Sequence, residues 1–140
     1  MPERLFLDAN VLFTAAISPE GVSRSLFELA QAGVCVLLTS SFALDEALRN
    51  VHVKYPAQVQ TLETLAGEVE LVAEGGVALA EWAAGLLPTK DAPILAAAVA
   101  TNADALVTGD RRHFGELFGK TFGGVIVLPP RQALERVVTG

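Results

Sequence analysis

The sequence predicts an α/β domain in three α/β/α layers, with a parallel five-stranded sheet at its centre. Short β-branched or apolar runs alternate along the chain with longer helical stretches, the pattern of parallel strands joined by crossover helices. Four short acidic segments also fall where a strand gives way to a helix, or close to a helix start. They are Phe6-Leu7-Asp8-Ala9-Asn10, Leu44-Asp45-Glu46-Ala47, Lys90-Asp91-Ala92-Pro93 and Val107-Thr108-Gly109-Asp110. The carboxyl ends of the strands are the edge at which open α/β sheets bind ligands. A length of 140 residues matches the commonest domain size, and the chain reads as one domain over 1–140.

The first strand is read at Arg4 to Asp8, followed by a short helix from Asn10. The Ser18-Pro19-Glu20-Gly21 turn precedes a helix from Val22 to Gln31, and Val34 to Leu38 is the second strand. Ser40 and Ser41 supply capping hydroxyls for a helix whose apolar stripe is Leu44, Ala47, Leu48 and Val51. Pro56 opens another helix. Glu68 to Val72 is a short third strand, broken by Gly75 and Gly76, and Val77 to Leu87 is helical up to Pro88. An alanine-rich helix from Asp91 to Thr101 is built to pack closely on the sheet. Asp104 to Thr108 and Val125 to Leu128 complete the sheet, and a terminal helix follows Pro129-Pro130.

The composition, 51% hydrophobic and 19% charged, excludes disorder and leaves room for a partner surface, a homodimer face being one candidate. The longest apolar runs fall far short of the roughly 20 residues a bilayer span needs. With no secretory pattern at Arg4-Leu5-Phe6-Leu7-Asp8, the expected location is cytoplasmic, without membrane association. Cys35 is the sole cysteine, which excludes an internal disulfide and a multi-thiolate metal site, and its apolar strand predicts a buried structural role. The net charge of −6 disfavours a nucleic-acid partner unless the acids bind cations. Two dications would offset +4 of it, leaving about −2 and a local attraction for phosphate.

Taken singly, each acid has an ordinary explanation. Asp8 is an N-cap, Asp110 a turn aspartate, and Asp91 an acid in the favourable first turn of a helix. In a doubly wound sheet, however, the strands bearing Asp8 and Asp110 are neighbours, and the helix starting at Asp91 feeds the strand that ends near Asp110. Three carboxylates gathered on one edge repel and raise one another's pKa unless a cation compensates, which points to a hard metal such as Mg²⁺ or Mn²⁺. The fourth acid stays open between two residues. At about 100° per residue, the stripe Leu44, Ala47, Leu48, Val51 sets Asp45 at the flank of the buried face and Glu46 nearly opposite it. A helix whose start overhangs the cleft would instead let the longer Glu46 reach in.

Leu-Asp-x-Asn-Val-Leu, a mid-chain helical Glu, Asp-x-x-x-x-x-Ala-Ala and Leu-Val-Thr-Gly-Asp occur here in the order in which they occur in PIN-domain ribonucleases, and the chain resembles that family over nearly its whole length. The resemblance carries the acidic quartet onto Asp8, Glu46, Asp91 and Asp110 as the catalytic and metal-binding residues. It is the resemblance that selects Glu46 over Asp45, through the apolar positions following in Glu46-Ala47-Leu48. Asn10 and Thr108 match the polar positions accompanying the first and last acids, which implies that they support those acids or contact substrate phosphate, while Ala9 departs from the Thr or Ser often found there.

The resemblance implies an Mg²⁺- or Mn²⁺-dependent endoribonuclease that leaves a 5′-phosphate and a 3′-hydroxyl. It also implies a toxin of a toxin–antitoxin pair, whose antitoxin would occupy the active-site groove. The alternative is a noncatalytic PIN-like scaffold that binds RNA or protein. Arg111 and Arg112, with His113, follow Asp110 and are expected either to touch the substrate backbone or to form a solvated basic turn. Arg24, Arg49 and Lys54 are further candidates for a substrate groove, His52 is assigned to the surface, and Trp82 is assigned with the phenylalanines to the core. A haloacid-dehalogenase reading fits less well, because Asn10 stands where a second Asp is needed and Lys90 is poorly placed as its lysine.

Overall fold

The computed structural model describes residues 2–89 and 91–139; Lys90 lies outside them. The sheet consists of β1 (Glu3–Leu7), β2 (Cys35–Ser40), β3 (Glu70–Val72), β4 (Ala105–Val107), β5 (Thr121–Phe122) and β6 (Val125–Leu128), in the order β3-β2-β1-β4-β6-β5. Five strands are parallel, as expected, and the sixth, β5, pairs antiparallel with β6 at the edge. This extra strand corrects the five-stranded expectation. Thr121 pairs with Ile126 and Phe122 with Val125, leaving Gly123-Gly124 as a two-residue hairpin loop with φ of 58° and 85°. Positive φ at both central residues is the turn that matches strand twist, so the Gly-Gly pair was the available signal, but two strand residues show no periodicity.

The helices are α1 (Ala9–Ile17), α2 (Val22–Gln31), α3 (Ser41–Lys54), α4 (Val59–Ala66), α5 (Gly76–Ala84), α6 (Ala92–Ala100), α7 (Arg111–Phe114) and α8 (Pro130–Thr139). Pro56 opens a 3-10 turn that leads into α4. Alternation along the strands divides the core into two. Leu5, Leu7, Leu37 and Val107 pack with α1, α2, α4 and α8 on one face, while Phe6, Leu38, Leu106 and Val127 pack with α5 and α6 on the other. No described helix is long and apolar enough to cross a membrane.

Three details correct the helix assignments. The helix expected to run to Leu87 ends at Ala84 and is followed by a turn. Its Trp82 is 40% exposed rather than core, because the only buried residue of α5 is Ala83 and the contact with α6 is made through small groups. A Cβ on Gly75 would lie 2.6 Å from the Ala96 carbonyl oxygen, which shows how closely the two backbones approach. On α3 the buried positions are Ala43, Ala47 and Val51, with Leu44 and Leu48 only partly buried. Ala43 belongs to the α6 side of the core and Ala47 and Val51 to the α1 side, so α3 passes across the end of the sheet between the two layers.

Candidate metal centre

The chain leaves β1 toward β2 and β3 on one side and reaches β4 and β6 on the other, so the β1/β4 pair is the topological switch point. Leu7 pairs with Val107, and the Asp8 amide donates to the Val107 carbonyl at 3.0 Å. Asp8 and Thr108 therefore emerge side by side at the carboxyl edge, where α/β crevices form.

Asp8 is 5% exposed and N-caps α1. Its Oδ1 accepts from the Ala9 amide at 2.7 Å, and its Oδ2 accepts from the Thr108 hydroxyl at 2.8 Å and the Asn10 amide at 3.1 Å. Asn10 also donates to Thr108 Oγ1 at 3.2 Å, while its Oδ1 accepts from the Gly109 amide at 2.7 Å. Thr108 Oγ1 in turn accepts from the Asp110 amide at 3.1 Å. Side chains from both strand ends thus lock the Gly109 turn and fix the direction in which Asp110 leaves it.

Burial pushes the Asp8 carboxyl up to about 6, opposed by its bonds from Thr108 and Ala9 and reinforced by repulsion from Glu46 and Asp91. Glu46, half-buried on α3, is near enough for its charge to act on Asp8, whereas Asp45 is exposed. The shifted burial frame explains the outcome. About Ala47 at the centre of the buried face, Glu46 stands roughly 100° away and Asp45 roughly 160° away, on the outer side. Of the stripe Leu44, Ala47, Leu48 and Val51, the two leucines are only partly buried, and Ala43 rather than Leu44 takes the buried position at its start.

Asp91 is 6% exposed and occupies the N-cap position of α6 without a side-chain capping bond. His113 Nδ1 lies 2.8 Å from Asp91 Oδ2 and 3.1 Å from Asp110 Oδ2. Asp110 N-caps α7, its Oδ1 accepting from the His113 amide at 3.1 Å. One imidazole nitrogen therefore lies close to two carboxylates, and donor atoms of Asp91, Asp110 and His113 all lie within 4.8 Å of one another. Sequence reading grouped His113 with a basic turn. The signal was its spacing, since a His three residues after a capping Asp returns to the cap one turn later.

The donor set suits a divalent cation. Buried, mutually repelling carboxylates gather where an oxygen-coordinated ion would relieve both the desolvation and the repulsion. Arg111 and Arg112 are exposed beside this cluster, the Arg111 guanidinium standing 5.9 Å from the Phe118 ring centroid. Arg24 is not a groove residue: it bonds the Ala15 and Ala16 carbonyls at 2.7 and 3.4 Å, satisfying the end of α1. Arg49 and His52 are exposed on α3, and Lys54 lines a small recess together with Glu46. Cys35 is buried as expected, with its thiol pKa raised by burial.

A family model described as PIN domain matches residues 4–112. No curated protein matches the sequence. Among solved structures, PAE2754 from Pyrobaculum aerophilum is similar over 100% of this chain and 98% of its own, with a TM-score of 0.71 at 18% identity. VapBC from Salmonella typhimurium, solved bound to DNA, gives 0.65 at 16% identity over 93% of this chain and 99% of that one. VapBC2 from Rickettsia felis, bound to a promoter DNA fragment, gives 0.63 at 21% identity over 90% and 98%. At these identities the likeness is one of fold.

Proposed function

This chain belongs to the PIN-domain family, and we propose that it is an Mg²⁺- or Mn²⁺-dependent endoribonuclease whose cation is held by Asp8, Glu46, Asp91 and Asp110. Support for the reading comes from Asp8 at the β1/β4 switch point, nearly buried and acted on by the charges of Glu46 and Asp91, and from Asp91 and Asp110, whose donor atoms lie within reach of one ion. When bound, the cation would activate a water toward phosphorus and neutralise charge on the leaving oxygen.

The other groups prepare that site. Thr108 and Asn10 hold Asp8 Oδ2 by hydrogen bonds to the ionised form, which favour the charge that burial opposes. His113 places a ring nitrogen close to carboxylate oxygens of both Asp91 and Asp110, adding a third donor atom beside the two acids. Arg111 and Arg112 contact substrate phosphates, contacts that set register without reading sequence.

We assign the protein to the cytoplasm as the toxin of a toxin–antitoxin pair, with a separate antitoxin covering the acid site. Similar folds crystallised as VapBC assemblies on DNA support a protein partner. A homodimer is the further assembly we propose.

The test is cleavage of a panel of single-stranded and structured RNAs in Mn²⁺ or Mg²⁺, with EDTA and the Asp110→Asn protein as controls. Cleavage lost in both controls is expected. No cleavage by the parent protein, together with no cation binding by calorimetry, would refute the reading and leave the noncatalytic scaffold.

A further inference from the structure

Beside the acids lies a recess of about 160 Å³ that shares Glu46 and Asn10 with the proposed metal site and extends from it along α1 and α3. Two helix faces bound it. Asn10 and Phe13, three residues apart, line it from α1, and Glu46, Asn50 and Lys54, four residues apart, line it from α3. The α3 stripe begins at an acid facing Asp8 and ends at a cation, about 12 Å further along the helix axis. Asn10 belongs to both places, since it lines the recess and donates to Asp8 and Thr108.

Phe13, which lines the recess, pairs with a second aromatic ring outside its lining. The Tyr55 ring lies 5.9 Å from the Phe13 ring at an interplanar angle of 57°, and Lys54 Nζ stands 5.6 Å from the Phe13 centroid. Tyr55 is 48% exposed, so this pair is displayed rather than enclosed. An aromatic platform, a carboxamide and a cation set along one line, opening at a cluster of metal-binding type, match the parts of a nucleotide: ring, ring edge and phosphate. Duplex bases are stacked on both faces and would have to be extruded to enter, whereas an unpaired base needs no such step.

We propose that this recess is a nucleobase pocket, taking one unpaired base of single-stranded RNA against the Phe13–Tyr55 pair, with Asn50 at the base edge and Lys54 on an adjoining phosphate. Lys54 leaves the Phe13 face when the base arrives, because an exposed cation–π contact is weaker than base stacking. Stacking of this kind tolerates any base, so the pocket fixes how the strand threads past the acids, and any preference among bases comes from the Asn50 contact. The proposal rests on the nuclease reading above.

It is tested with short oligouridylate RNAs carrying a single 2-aminopurine, moved position by position along the strand. Binding is measured by anisotropy in Mg²⁺ with the Asp110→Asn protein, so that the RNA stays intact. The expected result is fluorescence quenching confined to one position, and its loss in Tyr55→Leu together with about tenfold weaker binding. Phe13→Leu should behave alike; because Phe13 packs against the core, its fold is checked by circular dichroism, and the exposed Tyr55 carries the test if that variant unfolds. Lys54→Gln should weaken binding and flatten its salt dependence while preserving the quenching. RNA bound without quenching at any position, or with quenching indifferent to Tyr55→Leu, would overturn the pocket and leave the nucleic-acid reading standing. No RNA binding at all would overturn both.

Discussion

Asp8→Asn is expected to stabilise the metal-free protein at neutral pH and to destabilise it in acid. Asp8 has a folded pKa of about 6 against an ordinary value of 3.8. Between those values the native state binds more protons than the unfolded state, so this group's contribution to stability falls as pH rises. Linkage gives a cost of about 1 kcal/mol at pH 4.5 and about 3 kcal/mol at pH 7.5, where the group is ionised in both states. Asparagine removes the cost but upsets the bonding. With its carbonyl on the Ala9 amide, its own amide faces the Asn10 amide, donor against donor, and the Thr108 hydroxyl must turn to accept. That loss is about 1–2 kcal/mol.

The net expectation is a gain of about 1–2 kcal/mol at pH 7.5 in EDTA, and no gain or a loss of up to about 1 kcal/mol at pH 4.5. Urea unfolding of both proteins at the two pH values measures it. The difference between the proteins cancels every titration not coupled to Asp8. Saturating Mn²⁺ should then reverse the order at pH 7.5, because an ion that binds only the native parent stabilises only the parent. An Asp8→Asn effect identical at pH 4.5 and 7.5 would refute the reasoning, since it would mean that the carboxyl carries no burial penalty.

Three further perturbations probe other links. Thr108→Val keeps the shape of a fully buried side chain but deprives Asp8, Asn10 and the Asp110 amide of a partner; denaturation should show a loss of about 1–3 kcal/mol, and an unchanged midpoint would contradict the network. Arg112→Gln, at an exposed position, should weaken RNA binding across sequences and reduce the log–log salt slope by about 1; an unaltered slope would remove Arg112 from the interface. Gly75→Val should cost about 1–3 kcal/mol of stability through forced separation of α5 from α6, and a neutral effect on thermal midpoint would mean that the close approach at Ala96 relaxes freely.

Much of this architecture is legible because local and global signals agree. The first acid ends an apolar strand, the last ends another, and parallel crossover topology makes those strands neighbours. What escaped reading did so for identifiable reasons. Periodicity assigns one inward face per helix, but α3 packs Ala43 into one core and Ala47 and Val51 into the other, so a single stripe does not set the directions of Asp45 and Glu46. Trp82 was assigned to the core on residue type, yet α5 meets α6 through alanine and glycine and leaves the indole partly outside. His113 was hidden by its neighbours: after two arginines it reads as charge, and only the turn geometry returns it to Asp110 and Asp91.

The bonds around Asp8 set the charge at this edge of the sheet. Three donors reach its carboxylate, two of them from side chains whose other bonds lock the turn after β4. Those bonds resist the rise in pKa that burial and the neighbouring acids impose, and they do so with neutral groups, leaving the local charge negative. A lysine or arginine in their place would stabilise the carboxylate more strongly, but it would also neutralise the site and compete with a dication for the same oxygens. Neutral donors hold the acid in position while leaving its charge uncompensated and available to a cation. Thr108→Lys should accordingly lower the Asp8 pKa and abolish cation binding by calorimetry, whereas Thr108→Ser, which keeps the hydroxyl, should retain it; equal affinity in the two variants would show that charge balance at this edge does not govern binding.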